Sequence, residues 1–124
     1  MTRSNKIRAA LAAALAISVT AIPGLAQAAE TKVSIKGENG DFYGNVKSSD
    51  PDCVSERKVV VYKQLGSSQD HKSDQKIASD TTEPTTANKA QWSVGNTGYK
   101  KGKFYARAAK VPGCSAATSQ TINS

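Results

Sequence analysis

Two cysteines, one histidine and ten carboxylates are the residues of this 124-residue chain on which chemistry would first be sought. Cys53 and Cys114 are the only thiols and His71 the only imidazole. Tetrahedral zinc takes four such ligands, so a metal centre built on the cysteine pair is not expected. His71 lies in QDHKSDQ, among groups that keep it solvated, whereas a general base must be oriented by neighbours within hydrogen-bond reach. No serine occupies a Gly-x-Ser-x-Gly turn, so the strained elbow that exposes a hydrolase nucleophile is missing. Paired carboxylates would serve acid and base roles at a sugar bond, or hold calcium within a multi-oxygen cage. Asp50 and Asp52 straddle Pro51, and Asp70 and Asp74 share a loop; both pairs read as solvated loop residues. No phosphate-gripping glycine loop occurs. The chain is therefore expected to be no enzyme and to carry no cofactor and no metal.

Binding chemistry has one clear candidate. GYKKGKFYARAAK, Gly98 to Lys110, holds five cations and three aromatic rings, the residue types that track a polyanion and stack on its bases or sugars. Lys100, Lys101, Lys103, Tyr105 and Arg107 form the candidate anion-binding set, with an anionic envelope polymer or acidic glycan as partner. Nucleic acid is not expected, because an exported protein rarely meets it. The plainer reading, a solvated basic strand face, is favoured: alternation sends Phe104 inward, and lysines at turns and edges also protect sheets from stray pairing. Trp92 poses a similar choice between stacking a sugar and filling a core, and the sole tryptophan of a small sandwich reads as core.

The elements that would position these residues begin after an export segment. Arg3, Lys6 and Arg8 precede an apolar run from Ala9 to Ile22, then Pro23-Gly24 and the small residues around Ala26 and Ala28, the three parts of a secretory signal peptide in order. The run is shorter than the roughly 20 residues that span a bilayer, and no second run follows, so no membrane span is expected. Residues 1–28 are thus read as the signal and 29–124 as a single domain, secreted to the periplasm or the medium. Removing three cations leaves 14 Lys+Arg against 10 Asp+Glu, a net charge of +4. A chain of this size buries only about 60 to 65% of its unfolded surface, so covalent help is expected. In an oxidising compartment Cys53 and Cys114 would supply it as a disulfide, worth about 4 kcal/mol in the chain-entropy model. Free thiols or an intermolecular bridge are the alternatives.

Leu65 is the only leucine beyond the export segment, and Val, Thr, Ser, Gly and Tyr dominate, which favours pleated structure over helix. TKVSIKG reads as a strand, Asn39-Gly40 as a two-residue hairpin turn, and DFYGNVKS as the return strand, with Gly44 marking a bulge or the close approach of another backbone. RKVVVYKQL is a central strand carrying Val59 and Val61, GSSQDHKSDQ an exposed loop, KIASDT a weak strand and TEPTTANK a turn region held by Pro84. AQWSVG, KFYARAAK and SAATSQTIN complete seven short strands of an antiparallel β-sandwich. Val59, Val61, Trp92 and Phe104 are its expected core, and Tyr105, Arg107 and Ala109 its outward positions.

The order Gly44-x-Val46, Cys53, Arg57-x-Val59-x-Val61, Asp80-Thr81, Gln91-Trp92, Gly102-x-x-Tyr105-Ala106 and Cys114 resembles small bacterial secreted prealbumin-like domains. These are related in pattern to transthyretin-like, carboxypeptidase-regulatory and collagen-binding B-type modules. The resemblance covers most of the exported chain and implies an immunoglobulin-like or prealbumin-like sandwich that serves as stalk, accessory fold or binding module. Ala90 stands where the pattern often has glycine. The Lys–Asn isopeptide of some such modules, here Lys32 or Lys36 with Asn123, is not expected beside a disulfide. The function read from the sequence is a secreted, monomeric, non-catalytic domain with a structural or ligand-binding role at or outside the cell envelope. Loops at one end of the sandwich would carry recognition of a polymer or protein partner. A protease inhibitor presenting SSQDHKSDQ is the alternative, and an enzyme of unfamiliar type a third reading.

Overall fold

Short apolar segments that alternate with polar residues form ten β-strands among the residues that the computed structural model describes, 28–124. The export segment read at residues 1–28 lies, save for Ala28, outside the described residues. In chain order the strands are β1 (Thr31–Val33), β2 (Lys36–Glu38), β3 (Asp41–Ser48), β4 (Lys58–Lys63), β5 (Gln75–Thr81), β6 (Glu83–Thr86), β7 (Lys89–Val94), β8 (Lys103–Ala108), β9 (Ala117–Thr118) and β10 (Ile122–Asn123). All pair antiparallel in two sheets. In the front sheet β1 and β2 share one side of β3, followed by β7 and β6; in the back sheet β9 and β10 share one side of β8, followed by β4 and β5.

The structure thus has ten strands where seven were expected. TKVSIKG is broken into β1 and β2 because the chain arches over Gly44. The Ser34 carbonyl oxygen lies 1.9 Å from where a Cβ on Gly44 would stand, so only glycine admits that approach. Ser34 stays tied to β3 through its N–H, which donates to the Asn45 carbonyl at 2.9 Å, and its hydroxyl, which accepts from the Asn45 N–H at 2.9 Å. The last segment is likewise split into β9 and β10, both on β8. Finally Glu83–Thr86, read as turn because of Pro84, is the edge strand β6, a place where the missing N–H of proline does no harm. The hairpin at Asn39-Gly40 pairs Glu38 with Asp41, both turn residues having positive φ, 54° and 87°.

The core lies between the sheets. Phe42, Val46, Ala90 and Trp92 face Val59, Val61, Phe104 and Ala106, with Ile35 and Val54 closing the sides. Phe42 and Phe104 meet across the sandwich at 4.7 Å between ring centroids. Each such fully buried ring stabilises the fold by about 1.5–3 kcal/mol. Trp92 is buried, its Nε1–H without a hydrogen-bond partner among the described residues.

One end of the sandwich is held by sulfur and by a buried cation. Cys53 and Cys114 form a disulfide, with Cα atoms 5.5 Å apart. Beside it Arg57, only 3% exposed, donates from Nη1 to the Thr31 hydroxyl (3.1 Å) and the Cys53 carbonyl (2.8 Å), and from Nη2 to the carbonyls of Ala109 and Ser115 (both 2.8 Å). Burial pulls its pKa below the usual guanidinium value. Only a planar fork of donors reaches four acceptors in this way. Among the described residues no helix is long and apolar enough to cross a membrane.

Candidate functional site

Alternation gives each sheet an outer face, and the two faces differ. On the back sheet the outward residues Tyr62 and Tyr105 are neighbours in register, and their rings stack at 5.2 Å. The chain from Gln64 to Asp74 folds over them. Asp74 fixes it, accepting from the Tyr105 hydroxyl (2.5 Å), the Leu65 N–H (3.0 Å) and the Asp70 N–H (2.8 Å). His71 adds an edge-on contact with Tyr62, 6.3 Å between ring centroids. The donors hold the Asp74 carboxyl below the usual carboxylate range, Tyr105 most strongly. Burial, then the carboxylate, pushes the Tyr105 phenol up.

This corrects the sequence reading of the basic segment. Tyr105, expected on an open face, is fully buried beneath the loop. The loop in turn is not simply solvated: Asp74 is buried and Gln69 donates to the Ser119 carbonyl (3.0 Å) and the Thr121 hydroxyl (2.8 Å). The other rings of the segment are also engaged. Phe104 is in the core, and Tyr99 has Lys63 Nζ 5.9 Å from its ring centroid and accepts from Gln75 Nε2 at 2.7 Å. Lys100, Lys101 and Lys103 are exposed and Arg107 is half-buried, beside Val60 and Thr118. The cations of the candidate set remain available, but no free ring accompanies them. Lys103 borders a hollow of about 560 Å³ whose other walls include Gln64, Gln69 and Thr121. Those three bond to one another or to the nearby backbone.

Three of the four carboxylates singled out in the sequence are occupied as well, Asp74 by the loop contacts above. Asp50 caps the single turn Pro51–Cys53, its Oδ1 accepting from the Asp52 N–H at 2.9 Å. Asp70 accepts from the Lys72 N–H and the Ser73 hydroxyl. Among the described residues no three His, Cys, Asp or Glu side chains gather as a metal site would require.

The front sheet is open. Its outer face carries three cross-strand rows: Lys36, Tyr43 and Ser93; Asn45, Gln91 and Glu83; and Lys32, Lys47 and Lys89. Tyr43 is 47% exposed, the one exposed aromatic ring among the described residues. It borders a hollow of about 490 Å³ that Asn45, Gln91, Ser93, Asp80 and Glu83 also line. Asp80 arrives from the back sheet at the point where the chain crosses over, and its Oδ2 accepts the Ser93 N–H at 2.8 Å beyond the end of β6. Amides that both donate and accept, two carboxylates and a bare ring are groups that hold polyhydroxylated molecules by hydrogen bonding and stacking. Nothing in the sequence singled out this face, because register alone brings residues 36, 43 and 93 or 45, 83 and 91 together.

The molecule is thus an all-β protein of two antiparallel sheets closed by one disulfide, with Tyr62 and Tyr105 covered on one outer face and Tyr43 exposed on the other. No protein-family model matches the chain, and no curated protein matches its sequence. Among solved structures it is similar to an uncharacterized protein from Bacillus anthracis str. Ames, at 11% identity and a TM-score of 0.49, over 69% of this chain and 71% of that one.

Proposed function

We propose that this chain is a secreted, non-catalytic binding module of the cell envelope or its surroundings, an immunoglobulin-like or prealbumin-like sandwich that takes a glycan on the outer face of its front sheet. The observation that carries this reading is Tyr43, a ring left open beside the amides of Asn45 and Gln91 and a polar hollow. An aromatic face offers a sugar ring apolar contact, while amides exchange hydrogen bonds with its hydroxyls. The disulfide supports an oxidising compartment, where such bonds persist. Recognition on a sheet face rather than on end loops is supported by where the free ring stands.

The test is retention on immobilised polysaccharides. Wild-type protein should be retarded, and Tyr43→Ala should release it while leaving the thermal midpoint nearly unchanged. Equal retention of the two proteins would remove the front face from consideration.

The inhibitor reading draws support from one feature, the anchoring of the loop around Gln69 and Asp70 by Asp74 and Thr121, since a pinned exposed loop is what an inhibitor presents. Stoichiometric inhibition of a protease in a panel would favour it. Cleavage within the loop without inhibition would reject it.

A further inference from the structure

The lysine row of the front sheet narrows the ligand class, an inference that rests on the glycan-binding reading above. Register sets Lys32 opposite Lys47 and Lys47 opposite Lys89, and alternation turns all three to the outer face. Neighbouring strands lie about 4.8 Å apart, so three ammonium-bearing stems stand side by side across β1, β3 and β7. Like charges set directly opposite one another destabilise a sheet. Lysine is common on edge strands because it blocks pairing with stray chains, and that accounts for Lys32 on β1. It does not account for Lys47 and Lys89, since β3 and β7 are interior strands with no edge to guard. The repulsion is kept at a place where sheet protection does not require it.

Two further hollows adjoin the row, of about 370 and 200 Å³, both lined by Lys32 and Lys47. Glu30 is the one carboxylate on either lining. Asn45 borders both the smaller hollow and the larger one beside Tyr43, so the lysine row and the tyrosine are joined along one continuous face. A lysine ammonium is a compact charge on a flexible stem, suited to anions spaced along a polymer rather than to one planar group gripped from two sides. A bare polyanion such as polyphosphate would use the row but leave the ring and amides idle.

We propose that the outer face of the front sheet binds an anionic polysaccharide, with Lys32, Lys47 and Lys89 holding its carboxylate or sulfate groups while Tyr43, Asn45 and Gln91 hold the sugars. The experiment compares three immobilised polymers, polygalacturonate, a neutral β-glucan and polyphosphate, using the wild-type protein, Tyr43→Ala and the triple variant Lys32→Gln, Lys47→Gln, Lys89→Gln. Wild type should prefer polygalacturonate over the neutral glucan and elute from it earlier as salt rises, because exposed charges are screened. The triple variant should bind polygalacturonate about tenfold more weakly, the sum of three exposed ionic contacts. Tyr43→Ala should also weaken that binding. Removing the lysines relieves repulsion, so the triple variant is expected to fold, which circular dichroism checks; single Lys47→Gln serves if it does not.

Equal binding of polygalacturonate by wild type and the triple variant would overturn the inference. So would a wild type that holds the neutral glucan as tightly as the acidic one, an outcome that leaves the glycan reading standing. Retention on polyphosphate as strong as on polygalacturonate, unaffected by Tyr43→Ala, would make the ligand a bare polyanion and defeat both. Failure of wild type to bind any of the sugar polymers would defeat the glycan reading itself.

Discussion

Tyr43 and Tyr105 occupy equivalent outward positions, one on an interior strand of each sheet, yet the first is 47% exposed and the second is buried completely. The strand geometry is the same in both cases. The difference is the chain from Gln64 to Asp74, which has no counterpart over the front sheet among the described residues. Whether an outward tyrosine is available to a ligand or belongs to the fold is therefore decided by a loop and not by the strand that carries it. The front face is open at Tyr43, and the back face around Tyr62 and Tyr105 is taken up by contacts that hold the loop.

Substituting each tyrosine is the sharpest way to break that contrast. Tyr105→Ala removes a buried ring and should destabilise the protein by about 3 kcal/mol or more, whereas Tyr43→Ala should change stability by less than about 0.5 kcal/mol. Urea midpoints measure both, and similar losses would mean that the faces are not different in kind. Gly44→Ala comes next. Its new Cβ would collide with the Ser34 carbonyl on the front sheet, and overpacking of that kind costs about 1–3 kcal/mol. Loss of amide protection at Ser34 and Asn45 by hydrogen exchange would locate the damage.

Smaller effects probe the Asp74 clasp. Tyr105→Phe keeps the ring and loses one hydrogen bond to a carboxylate that keeps its two backbone donors, so a cost of about 1.5 kcal/mol is expected, the low end for a bond to a charged group. Asp74 has a depressed pKa in the folded protein, so its contribution is present above the ordinary carboxylate value of about 3.9 and is lost as pH falls through the lower folded value. Tyr105 has a raised pKa, so its contribution is present below its ordinary value of about 10 and is lost as pH rises through the higher folded value. The stability gap between wild type and Asp74→Asn should accordingly be flat near neutral pH and close in acid. A gap that widened in acid would show that the carboxylate is not the group holding the loop. Smallest of all, Lys47→Gln should stabilise by a few tenths of a kcal/mol at low salt by relieving its two lysine neighbours, a gain that added salt erases.

Local signals carried much of this fold. Asn39-Gly40 announces its hairpin because a two-residue turn with two positive φ angles admits few sequences, and Gly44 announces a bulge or a close backbone approach, the structure having the second, because a strand interior otherwise disfavours glycine. The disulfide was legible from two cysteines and from the oxidising destination that the sequence led us to expect. What escaped was long-range. Tyr105 is buried by Asp74, 31 residues earlier, and nothing in the polar composition of GSSQDHKSDQ says that one of its carboxylates turns inward. β6 escaped because Pro84 signals a turn unless the strand is known to be an edge. The front face escaped because Lys32, Lys47 and Lys89 are unremarkable singly and become a row only through register. Within the basic segment, alternation correctly turned Phe104 inward but could not foresee that its neighbour would be covered from outside.

Arg57 bears on how the sulfur bridge is made and kept. Its guanidinium joins the Cys53 carbonyl to those of Ala109 and Ser115, so the chain on either side of Cys114 is drawn toward Cys53 by contacts that involve no sulfur. A reduced molecule that retains those contacts holds its two thiols at high effective concentration. Oxidation by an external disulfide then becomes a short closing step between groups already side by side, and a mixed disulfide left by an incoming thiol is displaced by the neighbouring cysteine, which expels that thiol and restores the bridge.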